Sequence, residues 1–139
     1  MSKLPSFDKI NEGDTLPSIT NEPITRIQLV KYAGASGDFN PIHTIPEYAK
    51  EAGLHDTIAH GMLIMGILGR MISGYAGISA VTKYNVQFKS MTNIGDILTS
   101  KGEVKKKYEN ETGRFIDCKV IVEDQKGEAK LEGKVTIKF

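Results

Sequence analysis

Gly61-Met62-Leu63-Ile64-Met65-Gly66-Ile67-Leu68-Gly69 carries no polar side chain, and its reading decides the fold. A helix that is apolar on every side belongs in the interior of something. The run is too short to span a bilayer, which takes about 20 residues. Gly66 and Gly69 each weaken a helix by about 1 kcal/mol. That cost suggests a need for close backbone approach. We therefore read Met62 to Ile72 as a core helix. From Ile78 onward the period changes to two. Tyr84, Val86 and Phe88 alternate with Asn85, Gln87 and Lys89. Ile116, Cys118, Val120 and Val122 alternate with more polar neighbours. Leu131, Gly133, Val135 and Ile137 do so against Glu132, Lys134 and Thr136. Turn signals at Asn93 to Asp96, Asn110 to Gly113 and Asp124 to Gly127 separate these runs. This pattern predicts a meander of about four long strands, mostly antiparallel. One apolar helix wrapped by a curved antiparallel sheet is an α+β layer solution.

Upstream of the helix the chain reads as helix and loop. Asp14 to Ile19 suits a short strand or an extended lead-in. Thr25-Arg26-Ile27-Gln28 has the form of a capping box, with Ile24 and Leu29 placed as a hydrophobic staple. The helix it starts should run to about Ser36 and stop at Gly37, and Pro41 blocks any continuation. A second short helix should begin with Pro46 at its first position and end at Gly53.

The chain has 139 residues, 40% of them hydrophobic and 25% charged. That is an ordinary balance for one globular domain spanning residues 1–139. Eighteen basic residues face seventeen acidic ones, so no large field attracts nucleic acid or an anionic membrane. Cys118 is the one cysteine. It has no disulfide partner within the chain, no zinc cluster surrounds it, and it reads as a small buried hydrophobe. Met1 to Asn11 is polar and lacks the apolar core of a signal peptide. The expectation is a cytoplasmic protein with neither nucleic-acid nor membrane partner.

The densest polar cluster is Ser36-Gly37-Asp38-Phe39-Asn40-Pro41-Ile42-His43. It follows a helix stop, where a loop can present side chains into a cleft. A carboxylate and an imidazole around a proline turn can converge on one small molecule. Water addition needs such a pair: one group holds and deprotonates the water while the other handles the proton at the neighbouring carbon. Ala59-His60-Gly61-Met62 follows, at the start of the apolar helix. The first N–H groups of a helix lack internal partners, and the dipole is positive there. Gly61 would let a ligand oxygen come close to them, which suits a carbonyl that becomes an oxyanion. The plainer readings are turn chemistry for Asp38 and Asn40, a surface position for His43 and His55, and a helix-cap neighbour for His60. Lys105-Lys106-Lys107 reads as a solvated strand end, with contact to a phosphorylated carrier as the alternative.

Taken together, Tyr32 to His43, Ala59 to Leu63, Tyr84 to Phe88 and Gly95 to Leu98 resemble the MaoC-like dehydratases, which include the (R)-specific enoyl-CoA hydratases. The resemblance covers nearly the whole chain, in the family's order. It implies a hot-dog fold, in which a long central helix is wrapped by an antiparallel sheet. It also implies a dimer whose sheet continues across the interface, as a homodimer or a heterodimer with a related chain. The activity implied is hydration of trans-2-enoyl thioesters and its reverse in fatty acid metabolism, with CoA or acyl-carrier protein carrying the substrate and no metal or redox cofactor. An acyl-thioester-binding subunit and a thioesterase are the alternatives. Asp38 and His43 match the catalytic pair. Asn40 matches a residue supporting that loop, and Gly61 the backbone donor to the thioester oxygen. Asn40, His60 and Gly61 are thus the candidate substrate-binding residues. Thr44 to Ile58 matches a segment that overhangs the acyl channel. One departure is Ile45, where members often carry an acidic cap before the proline.

Overall fold

The computed structural model describes residues 4–139; the first three residues of the polar N-terminal stretch lie outside it. Strand β1 (Ile19–Thr20) precedes helix α1 (Arg26–Ser36), helix α2 (Pro46–Glu51) and helix α3 (Gly61–Ala76). Strands β2 (Val81–Phe88), β3 (Thr99–Asn110), β4 (Gly113–Glu123) and β5 (Ala129–Lys138) complete the chain. All strand pairs are antiparallel. Helix α3 packs against β2, β3, β4 and β5. This is the hot-dog architecture. No helix of the described residues is long and apolar enough to cross a membrane.

Local chemistry sets the helix ends. Thr25 Oγ1 accepts a hydrogen bond from the Gln28 backbone N–H at 3.2 Å, the first half of the expected capping box. At the other end Gly37 takes a left-handed conformation with φ 74°, and its N–H closes on the Ala33 carbonyl. Helix α2 starts at Pro46 with no side-chain cap from Ile45. The anticipated lead-in at Asp14 to Ile19 is mostly irregular: Thr15 bridges to Glu103, and regular pairing begins only at Ile19.

Two expectations need correction. The long strands do not form one four-stranded meander. The sheet order is β1-β3-β4-β5-β2, so β2 lies beside β5. The connection from Lys89 to Leu98 carries the chain across instead of turning it tightly back, and period-two alternation says nothing of that. The lysine run also lies inside β3, beside a bulge between Val104 and Lys106. Lys107 Nζ donates to the Ile10 carbonyl at 2.9 Å.

The core forms between α3 and the inner face of the sheet. Ile64, Leu68, Met71 and Ile72 meet Ile116, Val120, Leu131, Val135 and Ile137 there. Cys118 is buried among them, and burial together with neighbouring Asp117 pushes its thiol up to about 12. In the single chain α3 is covered on one side only. Met62 is 58% exposed, and Gly66, Arg70 and Gly74 are exposed along the same helix.

Candidate functional site

The Asp38 to His43 loop is shaped by its own short polar side chains. After Gly37 turns the chain, Asp38 Oδ1 accepts from the Asn40 N–H at 3.2 Å. Asn40 Oδ1 accepts from the Ile42 N–H at 3.2 Å, capping the 3-10 turn Pro41–His43. That turn brings His43 inward, to 7% exposure. Asp38 stays open, with its side chain 51% exposed. The two groups converge as the sequence suggests: Asp38 Oδ2 lies 3.7 Å from His43 Nε2. This is longer than a hydrogen bond, and an oxygen seated beside the two atoms can lie within hydrogen-bond reach of both.

His43 is anchored from behind. Its Nδ1 lies 2.7 Å from the Ile58 carbonyl. A carbonyl only accepts, so Nδ1 carries the hydrogen, and Nε2 is the nitrogen turned towards Asp38. The partner Ile58 is itself fixed, because its N–H donates to the Ile42 carbonyl at 3.2 Å.

Gly61 begins α3 next to this pair, on the wall of a pocket of about 320 Å³. His43, Ile58, Ile64, Phe88 and Met91 line the same pocket. A Cβ on Gly61 would lie 3.1 Å from the Phe88 ring, so a side chain here would crowd the pocket wall where the first N–H of the helix lies. Asn40 is an exposed cap that does not line the pocket. His60 does not line it either. Its ring is 1% exposed, stacked on His43 with centroids 3.8 Å apart. Its Nε2 lies 3.1 Å from the Asp38 carbonyl. Burial lowers the His60 pKa below the ordinary 6.5, and the facing His43 lowers it further, against the opposing pull of Asp38.

Potential ligand atoms of Asp38, His43 and His60 lie within 4.8 Å of one another. The two imidazoles are stacked face to face, however, and ring lone pairs lie in the ring planes. They run alongside each other instead of converging on one ion. His60 Nε2 is also engaged by the Asp38 carbonyl.

Three features gave no usable signal in the sequence. Phe88 reads as an inward strand residue, yet it is half exposed and walls the pocket. Tyr32 meets the His60 ring edge-on at 4.8 Å. Lys130 sits on the pocket wall at 3% exposure, between Asp124 at 3.3 Å and Asp96 at 3.6 Å, and donates to the Met91 carbonyl at 2.9 Å. Alternation along β5 would have placed it outside. Arg26 Nη2 donates to both carboxylate oxygens of Asp56 and its Nη1 to Thr57 Oγ1 at 3.0 Å, tying the segment after α2 to α1. His55 is exposed, as expected.

Comparison with known proteins adds four likenesses. A family model described as "MaoC like domain" matches residues 10–126. The mitochondrial 3-hydroxyacyl-[acyl-carrier-protein] dehydratase of Arabidopsis thaliana is 37% identical over 65 residues, which cover 47% of this chain and 39% of that protein. The (R)-specific enoyl-CoA hydratase of Rhodospirillum rubrum is 32% identical over 98 residues, covering 68% of this chain and 65% of that one. A solved structure titled "MaoC-like dehydratase" superposes with a TM-score of 0.87 at 34% identity, covering 99% of this chain and 43% of that chain. The chain thus spans less than two thirds of the length of each of these three relatives.

Proposed function

The chain belongs to the MaoC-like domain family, and from that premise we propose that it is a hydro-lyase that adds water to trans-2-enoyl thioesters and removes it from (3R)-3-hydroxyacyl thioesters. The observation that carries this reading is the 3.7 Å gap between Asp38 Oδ2 and His43 Nε2 beside the N–H of Gly61. Water seated beside the two atoms, on the pocket side, donates one hydrogen to the carboxylate and one to the imidazole. In hydration its oxygen bonds to C3 of the enoyl group while the pair takes one of its protons. The electrons of the C2–C3 double bond move towards the thioester carbonyl, and the Gly61 N–H stabilises the enolate oxygen. A proton from the pair then reaches C2, and both groups return to their starting states. Asp38 and His43 act here as one coupled unit.

The reaction involves no net electron transfer, and a backbone N–H supplies the polarisation a Lewis acid would give, so it requires neither a metal nor a redox cofactor. CoA and acyl-carrier protein both present the same thioester to this site. The half-covered α3 and the free edge of β2 favour a second hot-dog chain, identical or related, packed across them. A pocket of about 450 Å³ between the two, lined by Gly66, Gly69, Ile78 and Tyr84, marks the surface.

Loss of enoyl thioester absorbance with short and medium trans-2-enoyl-CoA substrates tests the proposal. The wild type should turn over, and Asp38→Asn and His43→Ala should each lose at least about a hundredfold, the usual scale of acid–base catalysis. A folded wild type that is inert across chain lengths, with CoA and with carrier-protein substrates, would overturn it.

A further inference from the structure

His60 has no part in the water chemistry, yet it touches both residues that do. Its Nε2 lies 3.1 Å from the backbone carbonyl of Asp38. That carbonyl can only accept, so Nε2 carries the hydrogen. The face of the ring lies on His43, with centroids 3.8 Å apart and planes 23° apart. Tyr32, from α1, closes the far side at 4.8 Å and 69°. The remaining nitrogen, Nδ1, is buried and has no hydrogen-bond partner. An apolar ring of the same size would avoid leaving an acceptor unsatisfied. The histidine is therefore explained by its other nitrogen, the one aimed at Asp38.

We propose that His60 is a positioning residue for proton transfer: as a neutral Nε2–H imidazole it holds the Asp38 backbone with its donor and the His43 ring with its face, and so sets the distance across which the pair shares water. The inference rests on the reading of Asp38 and His43 as the acid–base pair. Neutrality matters because a second cation stacked on His43 would oppose protonation of His43 during turnover. Burial supplies that neutrality, acting against the nearby Asp38 charge. The titratable groups facing His60 are Asp38, His43 and Tyr32.

Two variants separate the two contacts. His60→Phe keeps a ring against His43 and loses the donor, whereas His60→Gln keeps an N–H donor and loses the ring. His60→Phe should lower kcat about tenfold or more, as small misplacements of reacting groups do. KM should stay within about twofold, and the pH–rate profile should shift. His60→Gln should recover part of the loss. Independently of any variant, nitrogen NMR of the wild type at neutral pH should show His60 as the Nε2–H tautomer and His43 as the Nδ1–H tautomer. A charged or Nδ1–H His60 would overturn the proposal. So would wild-type kcat and pH profile in both folded variants while Asp38→Asn and His43→Ala are inactive. If instead those two variants retain activity, the acid–base reading itself fails and the positioning role goes with it.

Discussion

Gly61 shows how much a single atom decides at this site. The first N–H of a helix is a ready donor, but a substrate oxygen reaches it only where no side chain stands in front. A Cβ at this position would press on Phe88 at 3.1 Å, and Phe88 is half exposed and free to give way. Gly61→Ala should therefore fold normally, with a melting temperature within a few degrees of wild type. Its hydration rate should fall at least about tenfold, part of the loss that follows removal of an oxyanion donor. Steady-state kinetics beside a thermal melt reads both quantities. At His43 the Ile58 carbonyl decides which ring nitrogen turns towards Asp38.

At the scale of elements, two joints hold the pocket wall. Lys130 of β5 reaches into the loop that follows β2, where Met91 and Asp96 receive it, and towards Asp124 in the turn before β5. Removing one member of a buried ion pair leaves the others uncompensated, at a cost of about 3–5 kcal/mol. Lys130→Met should be destabilised on that scale in urea denaturation, and Asp124→Asn added to it should return part of the loss. The second joint is Gly133, where β5 and β2 run so close that a Cβ would collide with the Asn85 carbonyl oxygen and Val86. Gly133→Ala should cost about 1–3 kcal/mol, as overpacking does. Since β2 ends at Phe88, the same variant should also disturb the pocket.

For the whole molecule, acid stability follows from two buried groups. Burial drives His60 below 6.5. At Asp124 burial acts upward, but the N–H groups of Glu128 and Lys126 and the Lys130 ammonium outweigh it and hold the carboxyl below 3.8. In both cases the folded chain binds protons less readily than the unfolded chain, so stability rises with pH across each window. The His60 contribution is complete above about 6.5 and is lost as pH falls through its lower folded value. The Asp124 contribution goes in turn as pH falls below the ordinary carboxylate range. Melting temperatures measured from pH 7 to pH 3 should fall in two stages, with His60→Phe flattening the first and Asp124→Asn the second. Light scattering should find the chain at twice its own mass, or at that of a mixed pair once a related chain is supplied. The open face of α3 and the edge of β2 are the surfaces that the proposed partner would cover.

The sequence by itself determined whatever depends on neighbours a few residues apart. The Thr25 cap, the stop at Gly37, the α2 start at Pro46 and the switch from helical to alternating period are all local, and each appears where its residues place it. The convergence of Asp38 and His43 was legible for the same reason: Asn40 and Pro41 make a turn whose closure needs nothing remote. Tertiary structure alone decided the rest. Sheet order depends on the path of the Lys89 to Leu98 connection, and no alternation pattern encodes which edge β2 will join. Lys130 is inside because carboxylates from two distant turns meet it there, against the pattern of its own strand. His60 became a brace between Asp38, His43 and Tyr32 because three separate segments pack around one ring. A sequence motif names the groups, and long-range packing sets which of them face the pocket and which are buried behind it.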